Sequence, residues 1–81
     1  MARVLTIGGA QLGPIARDEP RRSVVGRLLH LMRQASDRGC DVVVFPELAL
    51  TSFFPRWWMD DDEVETFFER EMPSPVTQPL F

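Results

Sequence analysis

The run Val42-Val43-Val44-Phe45, followed at once by Pro46 and Glu47, constrains the fold more than any other part of the chain. Four consecutive apolar residues predict a strand that is covered on both faces, as in a parallel sheet. Pro46 cannot donate a backbone hydrogen bond to a neighbouring strand, so it marks the end of this one. In open α/β folds, ligand sites gather at the carboxyl ends of the strands. Glu47 is therefore either a general base at a site or a solvated glutamate in a turn.

The residues before this strand predict a second strand and a helix. Val4-Leu5-Thr6-Ile7 is strand-like. Asp18 is the predicted N-cap of a helix with Glu19 and Pro20 in its first turn, and Gly39 is the predicted end of that helix. Apolar residues recur at helical spacing and predict one buried stripe, formed by Val24, Val25, Leu28, Leu29, Met32 and Ala35. A right-handed crossover would make the two strands parallel.

The last third of the chain predicts two further helix starts. Asp60-Asp61-Asp62-Glu63 resembles a metal-binding cluster, but an N-cap at Asp60 with Glu63 three residues later explains the acids better. Val64, Phe67 and Phe68 follow at helical spacing and are predicted core contacts of this helix. Ser74 and Pro75 are typical of a cap and a first turn. His30 lies opposite the apolar stripe and is predicted to be a surface residue, because metal sites need several converging ligands.

The composition is that of an ordinary globular protein. Hydrophobic residues make up 44% and charged residues 26%, and the net charge of −3 gives no indication of nucleic-acid binding. No apolar run approaches the roughly 20 residues that span a bilayer. Met1-Ala2-Arg3 leads directly into a strand-like run, so a signal peptide is not predicted. We therefore expect a cytoplasmic protein, and the single cysteine, Cys40, excludes an internal disulfide framework.

The aromatic loop after Glu47 is a candidate wall for a substrate site. Phe53, Phe54, Trp57 and Trp58 surround Pro55 and Arg56 in this loop. Aromatic rings bury large areas, so one interpretation is a core or subunit contact. The other interpretation is that Phe53 and Phe54 bind the substrate, because the loop leaves directly from Glu47. Both interpretations stay open from the sequence.

Residues 40–51, followed by residues 52–57, resemble the first catalytic segment of the nitrilase superfamily of carbon–nitrogen hydrolases. Residues 48–57, 11–17 and 71–76 are similar to one branch of that family, the N-carbamoyl-D-amino acid amidohydrolases. The likeness extends from the first strand to the last residue. Many family members carry Gly-Tyr where this chain has Ser52-Phe53, so the local pocket is expected to differ from theirs in shape.

The resemblance implies a fold and an activity. The fold is α/β, with this chain forming the N-terminal βαβ-α portion of a nitrilase-like four-layer αββα sandwich. The implied reaction is hydrolysis of an amide or carbamoyl bond, releasing a D-amino acid, ammonia and carbon dioxide from an N-carbamoyl-D-amino acid. It uses a glutamate, a lysine and a cysteine, with Glu47 as the glutamate. The resemblance implies a small-molecule substrate and a homo-oligomer. We expect no cofactor, no metal, and no binding to nucleic acid or membrane.

The lysine and the nucleophile of that mechanism are not found in the chain. All nine basic residues are arginine. Cys40 precedes Glu47 by seven residues along one strand, which at about 3.3 Å per residue separates them by more than about 20 Å. Cys40 is therefore predicted to be a small buried residue at the helix-to-strand junction rather than the nucleophile.

Residues 1–81 are accordingly expected to be the incomplete N-terminal part of a single hydrolase domain, inactive alone. The alternative is a truncated, non-catalytic remnant or interaction module of the same fold.

Overall fold

The computed structural model describes residues 2–81 and has a strand, a helix and a strand in that order, which confirms the predicted βαβ unit. The elements are β1 at Ile7–Gly9, α1 at Arg21–Asp37, β2 at Val42–Val44 and α2 at Asp61–Glu65, with 3₁₀ turns at Phe54–Arg56 and Gln78–Leu80. Within residues 2–81, every helix is too short or too polar to cross a bilayer.

Strands β1 and β2 are parallel, as predicted, with Gly8 opposite Val43. Backbone bonds to the second strand begin at Thr6, whose carbonyl accepts from Asp41 N at 2.8 Å, and continue to the Ala10 N–Val44 O bond, also 2.8 Å. The predicted bounds of the first strand, residues 4–7, are therefore wrong, because residues 7–9 are the ones that lie beside β2. The Ala10 bond brings the carboxyl ends of both strands together.

Helix α1 begins later than the sequence predicts. Pro20 occupies the N-cap position in an extended conformation, with φ −68° and ψ 148°. A residue before a proline is disfavoured in the helical region, so Glu19 does not enter the first turn. The prediction of Asp18 as the N-cap is therefore wrong, and the helix starts at Arg21.

The end of α1 is as predicted. Gly39 has a φ of 75°, in the left-handed region that favours glycine. Its N–H donates to Ser36 O, and the Cys40 N–H donates to Ala35 O, each at 3.0 Å. These two bonds form a Schellman motif, which satisfies carbonyls at the end of the helix and directs the chain into β2.

The apolar stripe of α1 is confirmed. Val24, Val25 and Leu28 are buried and form the core, while the remaining residues of the stripe are half-buried. One face of the sheet faces this helix, because Gly8 and Val43 line the same small hollow as Leu31 and Ala35 of α1. A Cβ at Gly8 would lie 3.0 Å from Cys40 Sγ, so a larger residue at this position would require the Cys40 side chain to shift.

The other face of the sheet is exposed. Ile7, Val42 and Val44 alternate with Gly8 and Val43, and all three are exposed. The prediction that β2 is covered on both faces is therefore not met within residues 2–81, because α1 covers only one face. Cys40 is free and half-buried rather than buried as predicted.

Helix α2 starts as predicted but is short. The Asp60 carboxylate accepts the Glu63 N–H at 2.8 Å, which confirms the N-cap. The helix ends at Glu65, so Phe67 and Phe68 lie beyond it and make their aromatic contacts with Phe54 instead.

The predicted cap at Ser74 has its expected geometry, but the helix that it begins is a single turn. Ser74 Oγ accepts from Thr77 N at 3.2 Å, and Thr77 Oγ1 accepts from Ser74 N at 2.7 Å. This reciprocal pair has the form of a capping box. The 3₁₀ turn Gln78–Leu80 follows and contacts α1, and Thr77 is fully buried there.

Candidate functional site

A cleft of about 290 Å³ lies where the carboxyl ends of β1 and β2 meet. The loop that follows β1, at residues 12–15, forms one wall. The turn and loop that follow β2, at residues 46–53, form the other. Neighbouring parallel strands deliver the loops after their carboxyl ends to the same edge of the sheet, which is where α/β folds bind ligands. The cleft is therefore the candidate functional site of this chain.

Glu47 lies in this cleft. It begins a turn that spans residues 47–50, and its side chain is exposed. The four ion pairs formed within residues 2–81 use other carboxylates, so this part of the chain provides no basic partner for Glu47. The observed position of Glu47 has features of both interpretations from the sequence, namely a general base at a site and a solvated glutamate in a turn. Glu47 is a solvated residue in a turn, and the turn forms a wall of the cleft.

The residue after Glu47 has a strained backbone. Leu48 has a φ of 50°, in the left-handed region that costs a non-glycine residue roughly 1 kcal/mol. Strained residues of this kind cluster at binding and catalytic sites, where the surrounding structure holds them in place. Leu48 also lines the cleft, so the strain lies within the candidate site and sets the direction of the chain after Glu47.

The two candidate substrate-binding phenylalanines lie in different places. Phe53 is exposed and lines the cleft with Glu47. Phe54 is not among the residues that line this cleft. Its ring stacks on Phe67, with centroids 5.2 Å apart, and meets the edge of Phe68 at 5.9 Å. The structure thus brings Phe53 and Glu47 together and places Phe54 in a separate aromatic cluster with Phe67 and Phe68.

Ser52 is a buried polar residue in the same wall. It is 3% exposed, and its hydroxyl oxygen has no hydrogen-bond partner among the described residues. A buried hydroxyl without a partner costs about 1–3 kcal/mol. A glycine at this position would remove this cost, so the hydroxyl of Ser52 is an unfavourable group in the wall of the cleft.

Arg27 of α1 organises the other wall, a role that the sequence predictions missed. Its Nη2 donates to Leu12 O at 2.8 Å and to Pro14 O at 3.0 Å, and its Nη1 donates to both oxygens of Glu19 at 2.9 and 3.1 Å. Ser23 Oγ donates to the same carboxylate at 3.0 Å. The spacing of four between Glu19, Ser23 and Arg27 is the sequence signal that could have indicated this network.

The network lowers the pKa of Glu19 below its ordinary value of about 4.5. The hydrogen bond from Arg27 is the main cause, and the hydrogen bond from Ser23 and the positive charge of Arg27 act in the same direction. Partial burial of the carboxylate opposes them and is outweighed. A lowered pKa means that the folded protein favours the ionised form of Glu19 more strongly than the unfolded chain does.

We expect Glu19→Gln to lower the melting temperature at neutral pH but not in acid. Because the pKa of Glu19 is lowered on folding, its stabilising contribution is present above about pH 4.5 and is lost as the pH falls through the lowered value. The measurement is the melting temperature of the wild type and the variant between about pH 7 and pH 3, each as the longer protein of which residues 1–81 are expected to be the N-terminal part. A difference that stays constant across this range would show that the charge of Glu19 contributes nothing.

The other polar groups considered in the sequence lie outside the cleft. His30 is exposed on α1, as predicted, with its Nε2 3.2 Å from Gln34 Nε2. Cys40 lines a different hollow from Glu47, at the amino end of β2. Asp61 and Asp62 are exposed in the first turn of α2. Within residues 2–81, no three histidine, cysteine, aspartate or glutamate side chains come together in a group that could hold a metal ion.

A comparison with known protein families identifies a match over most of the chain. The model of the family described as carbon-nitrogen hydrolase matches residues 6–81. The match includes both walls of the cleft, the whole of the βαβ unit and the segment from α2 to the last residue.

Proposed function

Because the chain belongs to the carbon–nitrogen hydrolase family, we propose that Glu47 is the general base of a hydrolase that cleaves amide or carbamoyl bonds. One observation carries this proposal: Glu47 lines a cleft at the carboxyl ends of two parallel strands, and no basic side chain of residues 2–81 occupies its carboxylate. An acceptor at such a position can take a proton from a reacting group.

The chemistry requires partners that this chain does not contain. The sequence has no lysine, and Cys40 lies at the far end of β2. We propose that the complete enzyme adds a cysteine and a lysine to the same cleft. Glu47 then takes the thiol proton as the sulfur attacks the carbonyl carbon and passes it to the leaving nitrogen, so that the carbon–nitrogen bond breaks and an acyl-enzyme remains. It later takes a proton from the water that attacks this carbon and returns the proton to the sulfur, which breaks the carbon–sulfur bond and frees the enzyme. The lysine stabilises the negative oxygen that forms in each step.

The proposed substrates are N-carbamoyl-D-amino acids, which would yield the free D-amino acid, ammonia and carbon dioxide. The similarity of residues 11–17, 48–57 and 71–76 to the amidohydrolases of that name supports this choice. The cleft adds a physical argument, because Leu12, Ile15 and Phe53 give it apolar walls that suit the side chain of an amino acid. We further propose that the complete enzyme is a homo-oligomer.

The test is a substrate panel offered to the complete purified enzyme. It pairs N-carbamoyl-D-amino acids with their L-enantiomers and with simple amides of the same side chains, and it measures ammonia release. Preferential release from the D-carbamoyl compounds supports the proposal. Release only from simple amides would leave the family assignment intact and reject the substrate.

The positions of the two phenylalanines predict different effects on substitution. We expect Phe53→Ala to change the ratio of kcat/KM between large and small substrate side chains by about 10–100-fold, because a lost apolar contact in a binding pocket discriminates by about 1–3 kcal/mol. Phe54→Ala is the matched control, since it removes the same ring from the cluster with Phe67 and Phe68.

The measurements for both variants are kcat/KM for a graded set of substrates and the melting temperature. Phe54→Ala is expected to lower the melting temperature and to leave the ratio unchanged. If Phe53→Ala instead reduces activity on all substrates in parallel with stability, then Phe53 is a core contact and does not bind the substrate.

A further inference from the structure

The Arg27 guanidinium reaches from α1 to the loop at residues 12–15 and holds it by backbone atoms alone. Leu12 O and Pro14 O both accept from the same nitrogen, Nη2. A second nitrogen, Nη1, donates to both carboxylate oxygens of Glu19. The residues of the loop at 12–15 are thereby left to face the cleft, where all four line its wall.

The conformation of Gly13 makes this arrangement possible. Its φ of 83° lies in the left-handed region, which glycine adopts without the steric cost that other residues meet. A Cβ at this position would lie 3.7 Å from Arg27 Nη2, an ordinary contact distance, so space is not the constraint. The constraint is the backbone conformation that turns the carbonyls on either side of Gly13 towards one nitrogen.

The network is partly shielded from water. The side chains of Arg27 and Glu19 are 33% and 17% exposed. The carboxylate of Glu19 balances the charge of Arg27, and Ser23 holds that carboxylate from the same helix. A lysine could not reproduce the arrangement, because its ammonium is a point donor and lacks the planar fork that bonds two carbonyls and a carboxylate together.

We propose that Arg27 is a positioning residue, which fixes the loop at residues 12–15 as the second wall of the Glu47 cleft and thereby sets substrate affinity. The expected effect on substrate affinity rests on the proposed function, whereas the fixing of the loop at residues 12–15 rests on the hydrogen bonds. Arg27 contacts the loop backbone, so it affects substrate binding through the position of the loop at residues 12–15. If the freed loop occupies its binding position for about one tenth of the time, KM rises about tenfold.

The test compares Arg27→Lys with Arg21→Lys in the complete enzyme. Arg21 is a matched control, because it also projects from α1 into a half-buried ion pair, with Glu69, and it does not line the cleft. The first readout is amide hydrogen exchange of residues 10–19. The second is the separate measurement of KM and kcat for N-carbamoyl-D-amino acids, together with the acid limb of the kcat–pH profile, which reports the proton acceptor.

For Arg27→Lys we expect faster exchange confined to residues 10–19, a KM raised about tenfold, a kcat within about threefold of the wild type and an unchanged acid limb. Arg21→Lys should change none of these. Unchanged exchange at residues 10–19 would overturn the proposal. So would faster exchange with an unchanged KM, or a KM change of equal size in Arg21→Lys.

Failure of the proposed function gives a different result. If the enzyme hydrolyses none of these substrates, the substrate proposal fails, and the exchange measurement still decides whether Arg27 holds the loop.

Discussion

Replacing Glu47 by glutamine is expected to lower the turnover of the complete enzyme by about 10²–10⁴-fold, which is the usual contribution of a general base. Glutamine keeps the shape of the side chain but cannot accept the thiol proton. The fold should stay intact, because glutamine has nearly the same size and Glu47 forms no ion pair within residues 2–81 that the substitution would break. The measurement is steady-state turnover beside a thermal melt.

Two further variants sharpen this test. Glu47→Asp should also be poor, because the shorter side chain withdraws the carboxylate by about a bond length from a proton that it must approach within roughly 3 Å. Glu71→Gln is the control, since Glu71 is another exposed glutamate and lies outside the cleft. A folded Glu47→Gln enzyme with near-normal turnover would remove Glu47 from the mechanism.

Residues 1–81 by themselves are expected neither to unfold cooperatively nor to hydrolyse N-carbamoyl amino acids. The chain exposes 6326 Å², whereas a compact protein of its 9.3 kDa exposes about 5,000 Å². Its radius of gyration is 15.0 Å, against about 12 Å for a compact domain of this length. The buried hydrophobic core consists of Val24, Val25 and Leu28, and a two-stranded sheet with an uncovered apolar face is marginal at best in water.

Circular dichroism and amide hydrogen exchange on the isolated 81 residues test the first part, and an ammonia assay tests the second. The fold prediction is wrong if a cooperative melt accompanies strongly protected amides in Val42–Val44. Hydrolysis by the isolated chain would be the more serious result. It would mean that a nucleophile within residues 1–81 performs the reaction, and that a cysteine from outside these residues is not needed.

The elements that the sequence predicted well are those set by local chemistry. The end of α1 follows from Gly39, whose freedom at positive φ permits the Schellman bonds. The start of α2 follows from Asp60, whose carboxylate reaches an N–H three residues away. The apolar stripe of α1 follows from the periodicity of its residues. Each depends on atoms within about one or two turns of chain.

The elements that the sequence predicted poorly depend on partners far along the chain or on competing local effects. The first strand is displaced to Ile7–Gly9 because its bounds are set by hydrogen bonds to β2, some 35 residues away. The start of α1 is displaced because Pro20 overrides the capping preference of Asp18. Phe67 and Phe68 lie beyond α2 because that helix ends at Glu65.

The sequence by itself indicated the family through the resemblance of residues 11–17, 40–57 and 71–76, and its local patterns predicted the βαβ order and the position of Glu47 directly after a strand. Only the tertiary structure decided which groups share the cleft. It placed Phe53 with Glu47 and Phe54 with Phe67, and it joined Arg27 to the carbonyls of Leu12 and Pro14. Every residue has a backbone carbonyl group. A side chain that binds carbonyls can therefore have any residue type as its partner, and the sequence alone does not indicate which residues those are.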